Sequence, residues 1–119
     1  MMTNFFENLE PDIDLAPGRI LFSQGEPGDA AYIVHSGYLD LLVGGAELTC
    51  IMPGEIVGEM ALIENQTRFA TAAAGKEGVR LYRINRDRFL TLTRERPAFA
   101  LAVMKTMSDR LRKWGALFE

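Results

Sequence analysis

Punctuation constrains this chain more than any other feature. Between Arg19 and Ile84, apolar and β-favouring runs at Arg19 to Ser23, Ala31 to Ser36, Tyr38 to Val43, Glu47 to Met52, Phe69 to Ala74 and Val79 to Ile84 alternate with compact breaker segments. The breakers are Gly25-Glu26-Pro27-Gly28-Asp29, Gly44-Gly45, Pro53-Gly54 and Gly75-Lys76-Glu77-Gly78. Each supplies a tight turn through the positive φ open to glycine or the fixed φ of proline. Many short strands with regular turns predict a closed antiparallel barrel or jelly roll. Internal repeats, low-complexity tracts and linkers are not visible.

After Ile84 the period changes to that of a helix. Asn85 is placed to cap a helix over Arg86 to Glu95, and Pro97 fits the first turn of a second helix running to about Phe118. In that second helix Ala100, Met104, Met107, Leu111, Trp114 and Phe118 are spaced 4, 3, 4, 3 and 4 residues apart, with Lys105, Asp109, Arg110, Arg112 and Lys113 elsewhere on its surface. Such a stripe serves equally to pack the helix on its own barrel or to pair it with a second copy.

The 119 residues and their 48% hydrophobic content suit one domain over 1–119 with a single core. A net charge of −3 argues against a nucleic-acid binder, which needs a basic face. No apolar run approaches membrane-spanning length, and Met1 to Glu10 lacks the basic start and apolar centre of a signal peptide, so a cytoplasmic address is expected. The lone Cys50 reads as a buried structural thiol, since nothing cationic adjoins it. With His35 the only histidine, a metal site of several histidines is excluded, and with it a cupin-type metalloenzyme on a similar barrel. Nucleophile–base pairs, paired catalytic acids and glycine-rich triphosphate loops are also missing, so no enzymatic activity is expected.

One segment carries ligand chemistry. Gly58-Glu59-Met60-Ala61-Leu62-Ile63 reads as a glycine-opened helical turn, followed by Arg68 at the start of the strand Phe69-Ala70-Thr71. The turn offers backbone N–H groups and the positive end of a helix dipole to a phosphate. Arg68 adds a permanently charged planar fork, and Glu59 an acceptor for a sugar hydroxyl. Together they form a sugar-phosphate clamp.

At these residues the chain resembles the cyclic nucleotide-binding domain family, whose phosphate-binding cassette runs Gly-Glu-(Leu/Met)-Ala-Leu, a few variable residues, then Arg-x-Ala-(Thr/Ser). Ile20-Leu21-Phe22, Gln24 to Asp29, Tyr32 to Gly37 and Pro53-Gly54-Glu55 extend the resemblance from about Ala16 onward. It implies a double-stranded β-helix, or jelly-roll, barrel over about 16–84, a cassette with a short helix at 58–71 and two C-terminal helices over 86–118. It also implies cyclic nucleotide as the ligand. The Glu59 position would bond the ribose 2′-hydroxyl, the Arg68 position the cyclic phosphate, and the Gly58, Glu59, Met60 and Ala61 amides the rest of the cradle, with Phe69 and Ala70 beside the base. Val57 and Thr67 depart from the frequent aromatic residue and proline. Phe69 stands where relatives carry Ala, Ser or Thr, and lacks a hydroxyl for guanine, so cyclic AMP is expected ahead of cyclic GMP.

In the family the last helix closes over the base, which makes Arg110, Lys113 and Trp114 lid candidates. The resemblance implies that ligand orders the cassette, shifts a hinge near Phe89 to Pro97 and draws this helix over the pocket. No helix-turn-helix or kinase signature is present. The expected partners are therefore an effector protein or an output domain, or a second copy through the Ala100 to Phe118 helix. The alternative reading is a barrel whose pocket Phe69 fills, acting as an interaction or dimerisation module.

Overall fold

The structure, a computed structural model, describes residues 2–6, 8–64 and 67–115, except for the side chains of 114 and 115. Strands β1 (Ile13–Leu15), β2 (Ile20–Phe22), β3 (Ala30–Val43), β4 (Ala46–Ile51), β5 (Ile56–Val57) and β6 (Thr71–Asn85) form one antiparallel sheet. β6 and β3 are its central pair, flanked by β1 and β2 on one side and by β4 and β5 on the other. Helix α1 (Glu59–Ile63) lies between β5 and β6, and α2 (Arg86–Glu95) and α3 (Pro97–Gly115) follow the barrel. This is a jelly roll with a short cassette helix and two C-terminal helices. Among the described residues no helix is long and apolar enough to cross a membrane.

Most of the turn chemistry acts as its residues dictate. Gly44 and Gly45, at φ 59° and 82°, make the two-residue reversal joining β3 to β4, where positive φ at both positions matches the twist of the strands. The Asn85 side chain accepts a 2.8 Å hydrogen bond from the Arg88 N–H and caps α2, and Pro97 is the first residue of α3.

The segment Gly75 to Gly78 is different. Expected to be a reversal, it is a bulge inside β6, and the expected pairs of strands on either side of Gly37 and of Gly75 to Gly78 are continuous as β3 and β6. Gly37 pairs with Val79 but Leu39 pairs with Ala74, so the extra β6 residues bulge opposite Tyr38. Tyr38 lies over Gly75 and its hydroxyl accepts the Lys76 N–H at 3.2 Å. A Cβ on Gly37 would sit 2.2 Å from the Gly78 carbonyl oxygen, so the two strands approach there as only glycine allows.

That bulge resets the side-chain alternation. On β6, Ala72 and Ala74 face the barrel interior before it, and Val79 and Leu81 after it, whereas uninterrupted alternation would turn Val79 and Leu81 outward. β3 makes the same change, from Ala30, Tyr32 and Val34 to Leu39 and Leu41. A second core lies outside the sheet, where Ala31, Ile33, Tyr82 and Ile84 pack against Phe99 and Val103 of α3 and Leu62 of α1. Burial on both faces explains the unbroken apolar run Ala30 to Val34.

The folded unit begins earlier than Ala16. Met2 and Phe6, in a 3-10 turn at Met2–Phe6, are buried, with Phe6 stacked on Tyr82 at 4.7 Å and Phe5 edge-on to Phe99 at 5.4 Å. Of the expected stripe on α3, Met104 and Leu111 are exposed, while Phe99, Val103 and Met107 turn inward. The helix thus buries a face rotated from the heptad stripe. Phe118 lies outside the described residues. Phe99, fully buried where α3 meets the sheet, is expected to cost about 3–5 kcal/mol when changed to Ala. A urea titration showing less than about 1 kcal/mol would mean that α3 packs only loosely.

Candidate functional site

Arg68 leads into β6 from a loop gripped on both sides. Its N–H donates to the Glu26 carbonyl and its carbonyl accepts the Gly25 N–H, both at 2.8 Å, while Thr67 bridges to Pro27. The side chain turns inward and is only 6% exposed. Nη2 donates to the Ala30 carbonyl at 2.7 Å and Nη1 to the Gly58 carbonyl at 3.2 Å, and the guanidinium lies 4.2 Å from the centre of the Phe22 ring. Nε is buried without a hydrogen-bond partner. Burial pulls the Arg68 pKa below its ordinary value, with the electrostatic influence of Tyr32, Asp29, Glu26 and Glu59 working the other way. The side chain nevertheless stays charged.

Two glycines make the room. A Cβ on Gly28 would lie 2.5 Å from Arg68 Cζ and Nε, and one on Gly58 2.5 Å from Nη1. Gly58 also has φ 83° at the start of α1, a conformation that L side chains rarely adopt. Gly28, read from sequence as a turn residue, is therefore a packing requirement of Arg68. The guanidinium is spent on backbone carbonyls inside the fold.

Glu59 is paired instead with α3. Its Oε1 accepts from Arg110 Nη1 at 2.9 Å, with the two side chains 5% and 13% exposed, and Arg110 Nη2 bonds the Ile56 carbonyl. A cleft lined by Phe22, Gly58, Glu59, Met60, Ala61, Thr67, Arg68, Phe69 and Arg110 joins the two arginines and encloses about 20 Å³. Seven of the sequence-chosen residues thus converge: Gly58, Glu59, Met60, Ala61, Arg68, Phe69 and Arg110. Phe69 is 38% exposed and is one wall of the cleft. Phe22 and Thr67 were not foreseen, because an apolar strand residue and a loop threonine carry no ligand signature.

Three choices fare differently. Ala70 is fully buried in the barrel core and does not line the cleft. Lys113 donates to Thr49 Oγ1 at 3.2 Å and lines a neighbouring cleft of about 250 Å³ between β4 and α3. The Trp114 side chain lies outside the described residues.

Away from the cleft, Cys50 is half-buried, and its thiol contacts Asp40 Oδ1 at 3.3 Å and Glu47 Oε1 at 3.4 Å. Burial first, then these carboxylates, push its pKa up to about 11. Both effects disfavour the thiolate, the form that reacts.

The sequence model of the cyclic nucleotide-binding domain matches residues 13–96. The chain is 35% identical, over 91% of its length, to the cyclic AMP receptor protein of Thermus thermophilus, and spans 57% of that protein. The crystal structure of the Thermus thermophilus catabolite activator protein superposes with a TM-score of 0.79 at 31% identity, covering 96% of this chain and 61% of that one. A second solved structure, described as "A cyclic-GMP-dependent signalling pathway regulates bacterial phytopathogenesis", gives a TM-score of 0.78 at 28% identity, with 92% and 90% covered. The chain belongs to the cyclic nucleotide-binding domain family, of the type found in catabolite activator proteins and protein kinase A regulatory subunits.

Gly28→Ala should destabilise the fold by about 1–3 kcal/mol by overpacking Arg68, and that cost should shrink in an Arg68→Leu background. Equal costs in both backgrounds, measured by chemical denaturation, would dissociate Gly28 from the arginine. For Cys50, iodoacetamide alkylation should accelerate about tenfold per pH unit from pH 8 towards the thiol pKa of about 11. A rate that levels off below pH 9 would show that the carboxylates do not govern the thiol.

Proposed function

We propose that this domain is a sensor that binds a cyclic purine nucleotide and reports it through α3, without chemistry of its own. The observation that carries this reading is the buried Arg68 guanidinium, with one N–H orphaned and no carboxylate within ion-pair distance among the described residues. An uncompensated buried cation costs several kcal/mol, and an anion in the adjoining cleft offsets it. A cyclic phosphate supplies that anion, and Glu59, on the same cleft, supplies the acceptor for the sugar hydroxyl. Related proteins are named for cyclic AMP and for cyclic GMP.

Cyclic AMP is the better candidate here, because Phe69 on the cleft wall has no hydroxyl to offer guanine. The exposed Leu101, Met104 and Leu111 on the outer face of α3 give an output partner, or a second copy, an apolar surface to meet. The domain would act in the cytoplasm, where such a signal is made available to it.

Isothermal titration calorimetry with cyclic AMP and cyclic GMP tests the reading. Saturable one-site binding is expected, tighter for cyclic AMP, and Arg68→Leu should weaken it at least tenfold, since a charge-assisted hydrogen bond is worth about 1.5–3 kcal/mol. No heat with either nucleotide, together with no thermal-shift response, would leave an interaction module that does not bind nucleotide.

A further inference from the structure

We propose that Phe22 is a positioning residue for the ligand: its ring fixes the plane of the Arg68 guanidinium and so sets how tightly a cyclic phosphate is held. The proposal rests on the sensor reading above and adds to it a residue that acts through Arg68.

The first observation is a change of face on β2. Ile20 pairs with Ala73 and Phe22 with Ala72, so Leu21 and Phe22 together stand opposite a single residue of β6. Directly opposed residues share a face of the sheet, and Ala72 belongs to the barrel core. Without the extra residue, Phe22 would point the same way as Ile20, which is 58% exposed. With it, Phe22 is 8% exposed and joins the barrel core. The bulge thus turns one large ring inward beside the ligand cleft.

The second observation is where that ring lands. Its centre lies 4.2 Å from Arg68 Cζ, against 5.9 Å for the Tyr32 ring. The guanidinium is otherwise held by two hydrogen bonds, from Nη2 to the Ala30 carbonyl and from Nη1 to the Gly58 carbonyl. Two such bonds define a line rather than a plane, and carbonyl oxygens accept over a broad range of directions. They leave the group free to tilt about that line. A flat ring packed against its face removes this freedom.

The third observation concerns what is left for a ligand. Among the described residues the Arg68 Nε–H is buried without a hydrogen-bond partner, and Phe22 lines the same cleft as Arg68 and the cassette. A guanidinium grips phosphate oxygens through N–H groups that share one plane, so a tilt misdirects all of them together. An aliphatic side chain at position 22 would keep the site apolar but offer no flat surface. Phe22 therefore contributes to affinity by arranging Arg68 before the ligand arrives, without itself bonding the phosphate.

The test measures the arginine and the ligand separately. Without nucleotide, NMR relaxation of the Arg68 side-chain N–H, assigned by its loss in Arg68→Leu, should show Nε as rigid as the β6 backbone in the parent protein and in Phe22→Tyr. In Phe22→Leu it should be markedly more mobile. Phe22→Met, which fills more of the ring's volume, is a second aliphatic variant with the same expectation. An Nε that is mobile in the parent, or equally rigid in the aliphatic variants, would overturn the proposal whether or not any nucleotide binds. In calorimetry with cyclic AMP, Phe22→Leu should weaken binding about tenfold and Phe22→Tyr by no more than about twofold, whereas in an Arg68→Leu background Phe22→Leu should change affinity by less than about twofold. Equal weakening in both backgrounds would show that Phe22 acts independently of the arginine and would refute the proposal. No binding by the parent would remove the sensor reading, while the relaxation comparison would still decide whether Phe22 holds Arg68.

Discussion

Everything around the cleft follows from burying one guanidinium. Arg68 is carried inside the barrel mouth on a planar fork, and its charge is met by the carbonyls of Ala30 and Gly58 and by the face of Phe22. Carbonyl dipoles solvate a cation but do not neutralise it. The loop from Ser23 to Asp29 closes over it through Gly25 and Glu26, Gly28 yields the space, and Gly58 both begins α1 and presents the accepting carbonyl. Lysine at position 68 would bring the charge without the fork, and could not reach the two carbonyls in the same plane.

The barrel places this arrangement by a change of alternation in its two longest strands. An extra residue at His35 on β3 and the bulge at Gly75 to Gly78 on β6 let the two strands keep pairing while their inward-facing sets shift by one residue. Both halves of each strand line the barrel interior, and the half that holds Ile33 on β3 and Tyr82 and Ile84 on β6 also presents its other face to the helices. A single pair of strands thereby packs on both the barrel core and the helical layer.

Glu59 and Arg110 join the cassette to α3 directly. Their ion pair is buried, so it is worth little as net stability but is costly to break on one side only. Cys50 sits on β4 between Asp40 and Glu47, and its elevated pKa keeps it a neutral thiol at ordinary pH.

The sequence alone determined the alternation of strands and turns, the change to helix at Asn85, the cap and the proline that begin α2 and α3, and the cassette from Gly58 to Arg68. These are local properties, fixed by φ preferences, side-chain period and the chemistry of a few adjacent residues. It did not disclose that Gly75 to Gly78 is a bulge, since a glycine pair favours positive φ equally in a reversal and in a bulge, and only the register opposite Tyr38 distinguishes them. Nor could it show Phe6 stacked on Tyr82, Gly28 yielding to Arg68, Ala70 turned into the core, or Lys113 facing a separate cleft. Each of those depends on what a distant part of the chain brings alongside. The partner of Glu59 is the plainest case: Arg110 lies in another element altogether, and packing of Phe99 and Val103 beneath the sheet is what sets the angle of α3 and delivers that arginine to the cassette.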